Sequence, residues 1–431
     1  MFNLQAVKIV SLFTSATLVL ACCNNGNESK SISVKEKPSL SAKDILGNPD
    51  YLAISYGGYR DSSRKVQPLV EELKEDMKIL SAMGVKILRT YNVHLDHASN
   101  VLSAIEELKK EDLNFEMYVM LGAWIDCENA WTDHPNHYYE DVESNTVEVN
   151  RLVELAKQHP DIVKILAVGN EAMVKWAASY FVQPWVILKW VDHLQSLKET
   201  GELPSDLWIT SSDNFASWGG GHHDYHNEDL IKLINAVDYI SMHTYPMHDT
   251  HYNPFFWHSP RSETKFSKVK KINAAMLRAK EYASSQYDGV ANYMHSLGIK
   301  KPIHIGETGW ASFSDDFYGN SGSKALDEYK QALYFRHMRD WTKKAGLSCF
   351  FFEAFDEKWK DVVNIKGSEN HFGLITLKGE VKFALWNLVD EAKFKGLTRN
   401  GNPIVKTYGG DKKLMMKDVL LPPSTLEMIE H

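Results

Sequence analysis

"KILAVGNEAM" occupies residues 164–173 and "KPIHIGETGW" residues 301–310. Each is an apolar, β-branched run that reaches a glycine and then presents a glutamate, Glu171 in the first and Glu307 in the second. Short continuous apolar runs bounded by turn formers read as strands buried on both faces. Six further runs have the same character: "YLAISYGG" (51–58), "VKILRTY" (85–91), "FEMYVMLGAW" (115–124), "LWITSSD" (207–213), "VDYISMHTY" (237–245) and "LSCFFFEAF" (347–355). Helical spacing appears between them. Leu73, Met77 and Leu80 are followed by Gly84 at a C-cap position; Val101, Ile105 and Leu108 mark a second face; Val149, Leu152, Val153 and Ala156 a third; Leu326, Tyr329 and Leu333 a later one. Eight buried-type strands alternating with helices predict an α/β protein with a parallel sheet, and eight units in 431 residues is the count of a single (β/α)8 TIM barrel. An open doubly wound sheet competes poorly, because "SYGGYRD" in the first crossover is not a GxGxxG fingerprint.

Barrel enzymes build their sites at the C-terminal ends of the strands. Glu171 ends the fourth strand and Glu307 the seventh, so closing the barrel brings both carboxylates over one bowl. Glycosidic cleavage needs such a pair, one as proton donor and one to meet the developing oxocarbenium ion; a separation of about 5 Å corresponds to retention through a covalent intermediate. "VGNE" (168–171), "IGETGW" (305–310) and "FFEAFDEKWK" (351–360), with "SYGG" (55–58) and "ILRTYN" (87–92), resemble glycoside hydrolase family 17, the β-1,3-glucanases, over about residues 51–387. The resemblance implies a retaining, endo-acting hydrolase of β-1,3-glucan of the laminarin type, with Glu171 as general acid/base and Glu307 as nucleophile.

Physical roles are expected for the neighbours. Asn170 is placed to donate its amide to the sugar 2-hydroxyl, and Arg89 and Tyr245, at the ends of strands two and six, to keep Glu307 ionised and oriented. Trp310 is expected as a flat floor for a glucose ring, and Glu353 and Glu357 as contacts to hydroxyls, with Trp359 a platform or a wall. Tyr56, at a strand end, is expected in the substrate site, although its ring reads equally as core. The plain readings stand beside these. "GNE" alone suits a helix N-cap and first turn, Arg89 a buried ion pair, and Tyr245-Pro246 a turn. Trp124, Trp131, Trp218 and Trp257 read equally as sugar subsites or as packing under loops. His222, Asp224 and His226 have spacing that metal sites use, but in a Gly-rich loop without a fixed face, so neither metal nor cofactor is expected. His243 reads as a sugar contact or a satisfied core residue.

A net charge of -8 with interspersed signs argues against nucleic acid and anionic membrane surfaces as partners. Lys8 followed by the apolar run Ile9–Ala21 reads as an export signal (1–21), and "VLAC" before Cys22 resembles a bacterial lipobox, so a membrane-anchored lipoprotein, periplasmic or cell-surface, is expected. Residues 22–44 read as a disordered tether, 45–394 as the catalytic barrel, and 395–431 as a small C-terminal appendage with turns at Asn400-Gly401 and Gly409-Gly410. Cys127 and Cys349 are too few for a disulfide framework. A monomer is expected. A β-1,3-glucanosyltransferase with the same residues, a non-catalytic glucan-binding surface lipoprotein, and a barrel glycosidase for β-1,4-glucan or mannan are the rival readings.

Overall fold

All eight apolar runs are strands of one closed parallel barrel in the computed structural model, which describes residues 40–425. They are β1 (Leu52–Ser55), β2 (Val85–Arg89), β3 (Tyr118–Ala123), β4 (Val163–Asn170), β5 (Trp208–Asn214), β6 (Ile240–His243), β7 (Ile303–Gly309) and β8 (Cys349–Phe352). Each pairs with its sequence neighbours, and the ring closes where Ile54 of β1 meets Phe351 of β8. The period of two sends alternate apolar residues of the barrel wall to two cores. Leu88, Val119, Leu121, Leu166, Ile209, Met242 and Ile305 pack in the large cluster with the surrounding helices, whereas Ile87, Met120, Ile165, Ala167, Tyr239 and Phe350 form a separate cluster with Ala42, Ile45 and Leu46. Full burial of each such aliphatic side chain is worth about 1.5–3 kcal/mol.

Residues 1–39 and 426–431, which include the expected export signal, the expected lipidation site Cys22 and most of the expected tether, lie outside the described residues. The tether ends sooner than residue 44. Ala42–Ile45 form one helical turn, capped where Ser41 and Asp44 bond reciprocally, and Ala42 and Ile45 are fully buried. Three apolar residues are too short a run for periodicity to reveal. Helix α1 (Val70–Ala82) is followed by Gly84 in the left-handed region at φ 83°, and α2 (Asp96–Glu111) and α3 (Val142–Gln158) carry the expected faces, with Val153 half-buried. Leu326 precedes rather than joins the late helix Glu328–Ala345, because Asp327 caps it by accepting the Lys330 N–H at 2.9 Å. Among the described residues no helix is long and apolar enough to cross a membrane.

The segment from residue 395 is stitched to the barrel. Asn400 (φ 54°) and Gly401 (φ 72°) turn a short hairpin, Thr398–Arg399 against Asn402–Pro403. Arg399 is fully buried, donates from Nε to Asp76 of α1 at 2.9 Å, and lies over the Phe355 ring. Ile404, Met415 and Val419 share the main core. The turn at Gly409-Gly410 ends a 3-10 segment, Thr407–Gly410.

Candidate active site

The glycine before each glutamate has a geometric reason. Along β4 and β5, Ala167 faces Thr210 and Asn170 faces Ser212, so β4 carries one residue more than its neighbour; Gly169, at φ 80°, sits in that bulge. Along β6 and β7, Met242 faces Ile305 and His243 faces Glu307, leaving Gly306 as the extra residue. A Cβ on Gly306 would lie 2.0 Å from the Ser241 hydroxyl oxygen, and one on Gly169 2.8 Å from the Ala172 Cβ. A bulge re-aims the side chain that follows it. Here both bulges turn a carboxylate toward the barrel mouth, where Glu171 and Glu307 line one cleft of about 860 Å³.

The two carboxylates are held differently. Glu307 pairs with the Arg89 guanidinium and accepts hydroxyl hydrogen bonds from Tyr91 at 2.7 Å and Tyr245 at 2.6 Å. Burial raises its pKa, but the charge of Arg89, then His243 and the two tyrosines outweigh burial and hold it down at about 2. Both phenols are driven well above their ordinary range, by burial first and then by the Glu307 charge, so they stay protonated as donors. Arg89 also donates from Nη2 to the Asn170 Oδ1 at 2.6 Å. That bond fixes the amide and turns its NH2 group away from the guanidinium.

Glu171 follows Asn170 with φ 47°, and its side chain keeps 26 % of its surface exposed. Its Oε1 meets His243 Nδ1 at 3.1 Å; the other ring nitrogen is 2.7 Å from the Ser212 hydroxyl, which is 2.9 Å from that of Ser241. His243 is fully buried, so it touches the acid/base candidate and not a sugar. Asp213 lies beneath, accepting N–H bonds from Met173 and Asn214, both at 2.7 Å; burial pushes its carboxyl up to about 7 against those bonds.

Four of the expected substrate contacts are placed elsewhere. Trp310 is completely buried, its N–H donated to the Ala325 carbonyl at 2.9 Å and its ring packed against Trp257 and Tyr334, so it cannot be a sugar floor. Tyr56 is core too, donating to Asp76 at 3.2 Å. Glu353 and Glu357 are buried around Lys360, and Glu357 also accepts the Tyr59 N–H at 3.0 Å and the Trp359 indole N–H at 2.8 Å. Their roles are internal because their charge is met from within; burial nonetheless drives both carboxyls upward. Trp218 and Trp257 are buried, whereas Trp131 is exposed and Trp124 half-buried.

Several site residues escaped the sequence reading. Tyr91 was signalled by its place two residues after Arg89 in "ILRTYN". Trp176, Tyr252, Tyr318, Phe352 and Phe372 line the cleft from loops, a helix end and a strand end, where no spacing announces them. His222, His223 and Asp224 converge closely enough to share an ion, all three exposed. His226 instead donates to the Gly219 carbonyl at 2.9 Å and stacks on Tyr293.

The model of the BtgE/BtgC glycoside hydrolase domain matches residues 53–373. The probable glucan endo-1,3-beta-glucosidase btgC of Aspergillus flavus is 26% identical over 369 residues, covering 80% of this chain and 45% of that protein. The chain thus spans about half the length of the first curated relatives it matches. A glucan 1,3-beta-glucosidase of Arthroderma benhamiae is 25% identical, with 72% of this chain and 83% of that protein covered. Among solved structures, an endo-laminarinase from Formosa Hel1_33_131 is 67% identical and superposes with a TM-score of 0.89, covering 90% of this chain and 98% of that one. A glycoside hydrolase family 17 β-1,3-glucanosyltransferase from Rhizomucor miehei, 20% identical with a TM-score of 0.53 over 78% of this chain and 96% of that one, shares the fold.

Proposed function

Because the chain belongs to the BtgE/BtgC glycoside hydrolase domain family, we propose that it is a retaining endo-hydrolase of β-1,3-glucan. The observation that carries the reading is the asymmetry of the two carboxylates: one buried and held ionised by Arg89, Tyr91 and Tyr245, the other partly exposed at the same cleft. Glu307 attacks the anomeric carbon as Glu171 gives its proton to the departing glycosidic oxygen, leaving a glycosyl ester on Glu307. Glu171 then takes a proton from water, which attacks the same carbon and releases Glu307. The Asn170 amide, oriented by Arg89, donates to the 2-hydroxyl of the reacting glucose. The 67% identity to an endo-laminarinase supports laminarin-type glucan as substrate and cleavage within the chain.

Export and lipid anchoring rest on the sequence before residue 40: the apolar run Ile9–Ala21 and the small residue ahead of Cys22 support a lipoprotein tethered to a membrane and acting on glucan outside the cytoplasm. Digestion of laminarin by the purified protein tests the activity. A ladder of oligosaccharides in the first minutes is expected. Glucose as the sole early product overturns endo action, and release from β-1,4-glucan or mannan but not laminarin overturns the substrate class.

A further inference from the structure

Trp124 directly follows Ala123, the last residue of β3, and so stands at the same barrel end as Glu171 beyond the neighbouring β4. It shares an acceptor with Trp131: both indoles donate to the same Asp126 oxygen, at 2.9 and 3.1 Å. The Tyr180 ring lies against both, 5.1 Å from Trp124 and 5.0 Å from Trp131, stacked on the latter at 21°. The backbone is tied as firmly. Trp131 sits at φ 63°, and its N–H reaches the Ser179 carbonyl at 2.8 Å while the Cys127 N–H reaches that of Tyr180 at 3.2 Å. A left-handed conformation at a bulky residue costs roughly 1–2 kcal/mol. Yet Trp131 is 61% exposed.

A ring fixed through its N–H, backed by a second ring and left open on its other side is a preorganised surface rather than packing. Its connection to the cleft runs through residues 171–182. The segment begins at Glu171, passes Trp176 at the cleft wall and ends beside Tyr180, whose phenol is raised by burial and then by the charges of Glu171, Asp213 and Glu307.

We propose that Trp131, backed by Tyr180 and Trp124, is a further glucan subsite, stacking against a pyranose ring of the β-1,3-glucan chain beyond the rings held in the cleft. The proposal rests on the glucanase reading. The apolar C–H face of a glucopyranose matches a flat open indole, and only a chain long enough to leave the cleft reaches it.

The test uses the hydrolytically silent Glu307→Gln protein and titration calorimetry with laminarihexaose. Adding Trp131→Ala is expected to weaken binding about tenfold, equivalent to about 1.4 kcal/mol, and adding Trp131→Phe, which keeps a flat ring, to restore most of it. Unchanged hexaose affinity in the alanine variant overturns the subsite and leaves the glucanase reading standing. Equal loss in the alanine and phenylalanine variants also overturns it, since the effect is then structural. A Glu307→Gln parent that binds no laminarihexaose, together with a wild type that releases no reducing ends from laminarin, overturns both readings, and that outcome is recognised without any Trp131 variant.

Discussion

Replacing Arg89 by methionine removes the one cation among the described residues that touches both Glu307 and Asn170. Glu307 lies at about 2 instead of the ordinary 4.5 even though burial pushes it upward; at about 1.4 kcal/mol per pH unit, that preference for the ionised form is on the order of 3 kcal/mol. The pKa is depressed on folding. Its contribution to stability is therefore complete above the unfolded value near 4.5 and is lost as pH falls through about 2. In Arg89→Met the balance reverses. Burial is then opposed by the His243 charge and two hydroxyl hydrogen bonds alone, the carboxyl is expected to titrate above 4.5, and its ionised form becomes a cost that grows as pH rises. At pH 7 the variant is expected to lose roughly 3–5 kcal/mol, the range for breaking one side of a buried pair, and distinctly less at pH 4. Urea unfolding from pH 4 to 8 measures this, and the acid limb of kcat/KM on laminarin is expected to move to higher pH in parallel. Adding Glu307→Gln should recover part of the lost stability, because a neutral amide needs no counter-charge. A loss that is independent of pH, with no recovery from the amide, would show that Arg89 acts by packing alone and would refute the electrostatic reasoning.

Four other outcomes follow from the structure. Glu307→Ala is expected to lower hydrolysis about 10³-fold or more while remaining folded; near-wild-type cleavage removes the nucleophile assignment. Glu171→Gln should still cleave aryl glucosides with excellent leaving groups, which need no proton, and equal loss on those substrates contradicts the acid role. Trp310→Ala, in a fully buried site, should cost about 3–5 kcal/mol in urea unfolding without raising KM; a raised KM with stability intact would return Trp310 to the substrate site. Gly306→Ala would place its Cβ 2.0 Å from the Ser241 oxygen and 2.7 Å from that of Ser212, disturbing the hydroxyl pair behind His243, and is expected to cut kcat at least about tenfold; full activity contradicts the role given to the bulge.

The barrel was legible because its strands are buried on both faces and so appear as apolar runs, each ending where a turn former begins. The glutamates were legible because glycine precedes both; the reason, a bulge that forbids a side chain at Gly306, is visible only in register. Loop coverage was not legible. Trp310 and Tyr56 follow strand ends as a sugar-facing ring would, but the Trp310 indole is sealed beneath the loop that ends at Ala325, and the Tyr56 hydroxyl turns inward to Asp76. Lys360 stood in the quoted motif three residues after Glu357, and its charge was the available signal that Glu353 and Glu357 are satisfied internally. Aromatic identity marked Trp131 and Trp218 equally, and only the fold separates the exposed ring from the buried one.

The most direct test of the central claim is a proton NMR time course of the purified protein acting on soluble β-1,3-glucan, following the anomeric signals of the new reducing ends. A double displacement through Glu307 predicts the β-anomer first, with the α-anomer appearing only by mutarotation. The α-anomer first would contradict the nucleophile assignment and with it the reading of the two differently held carboxylates.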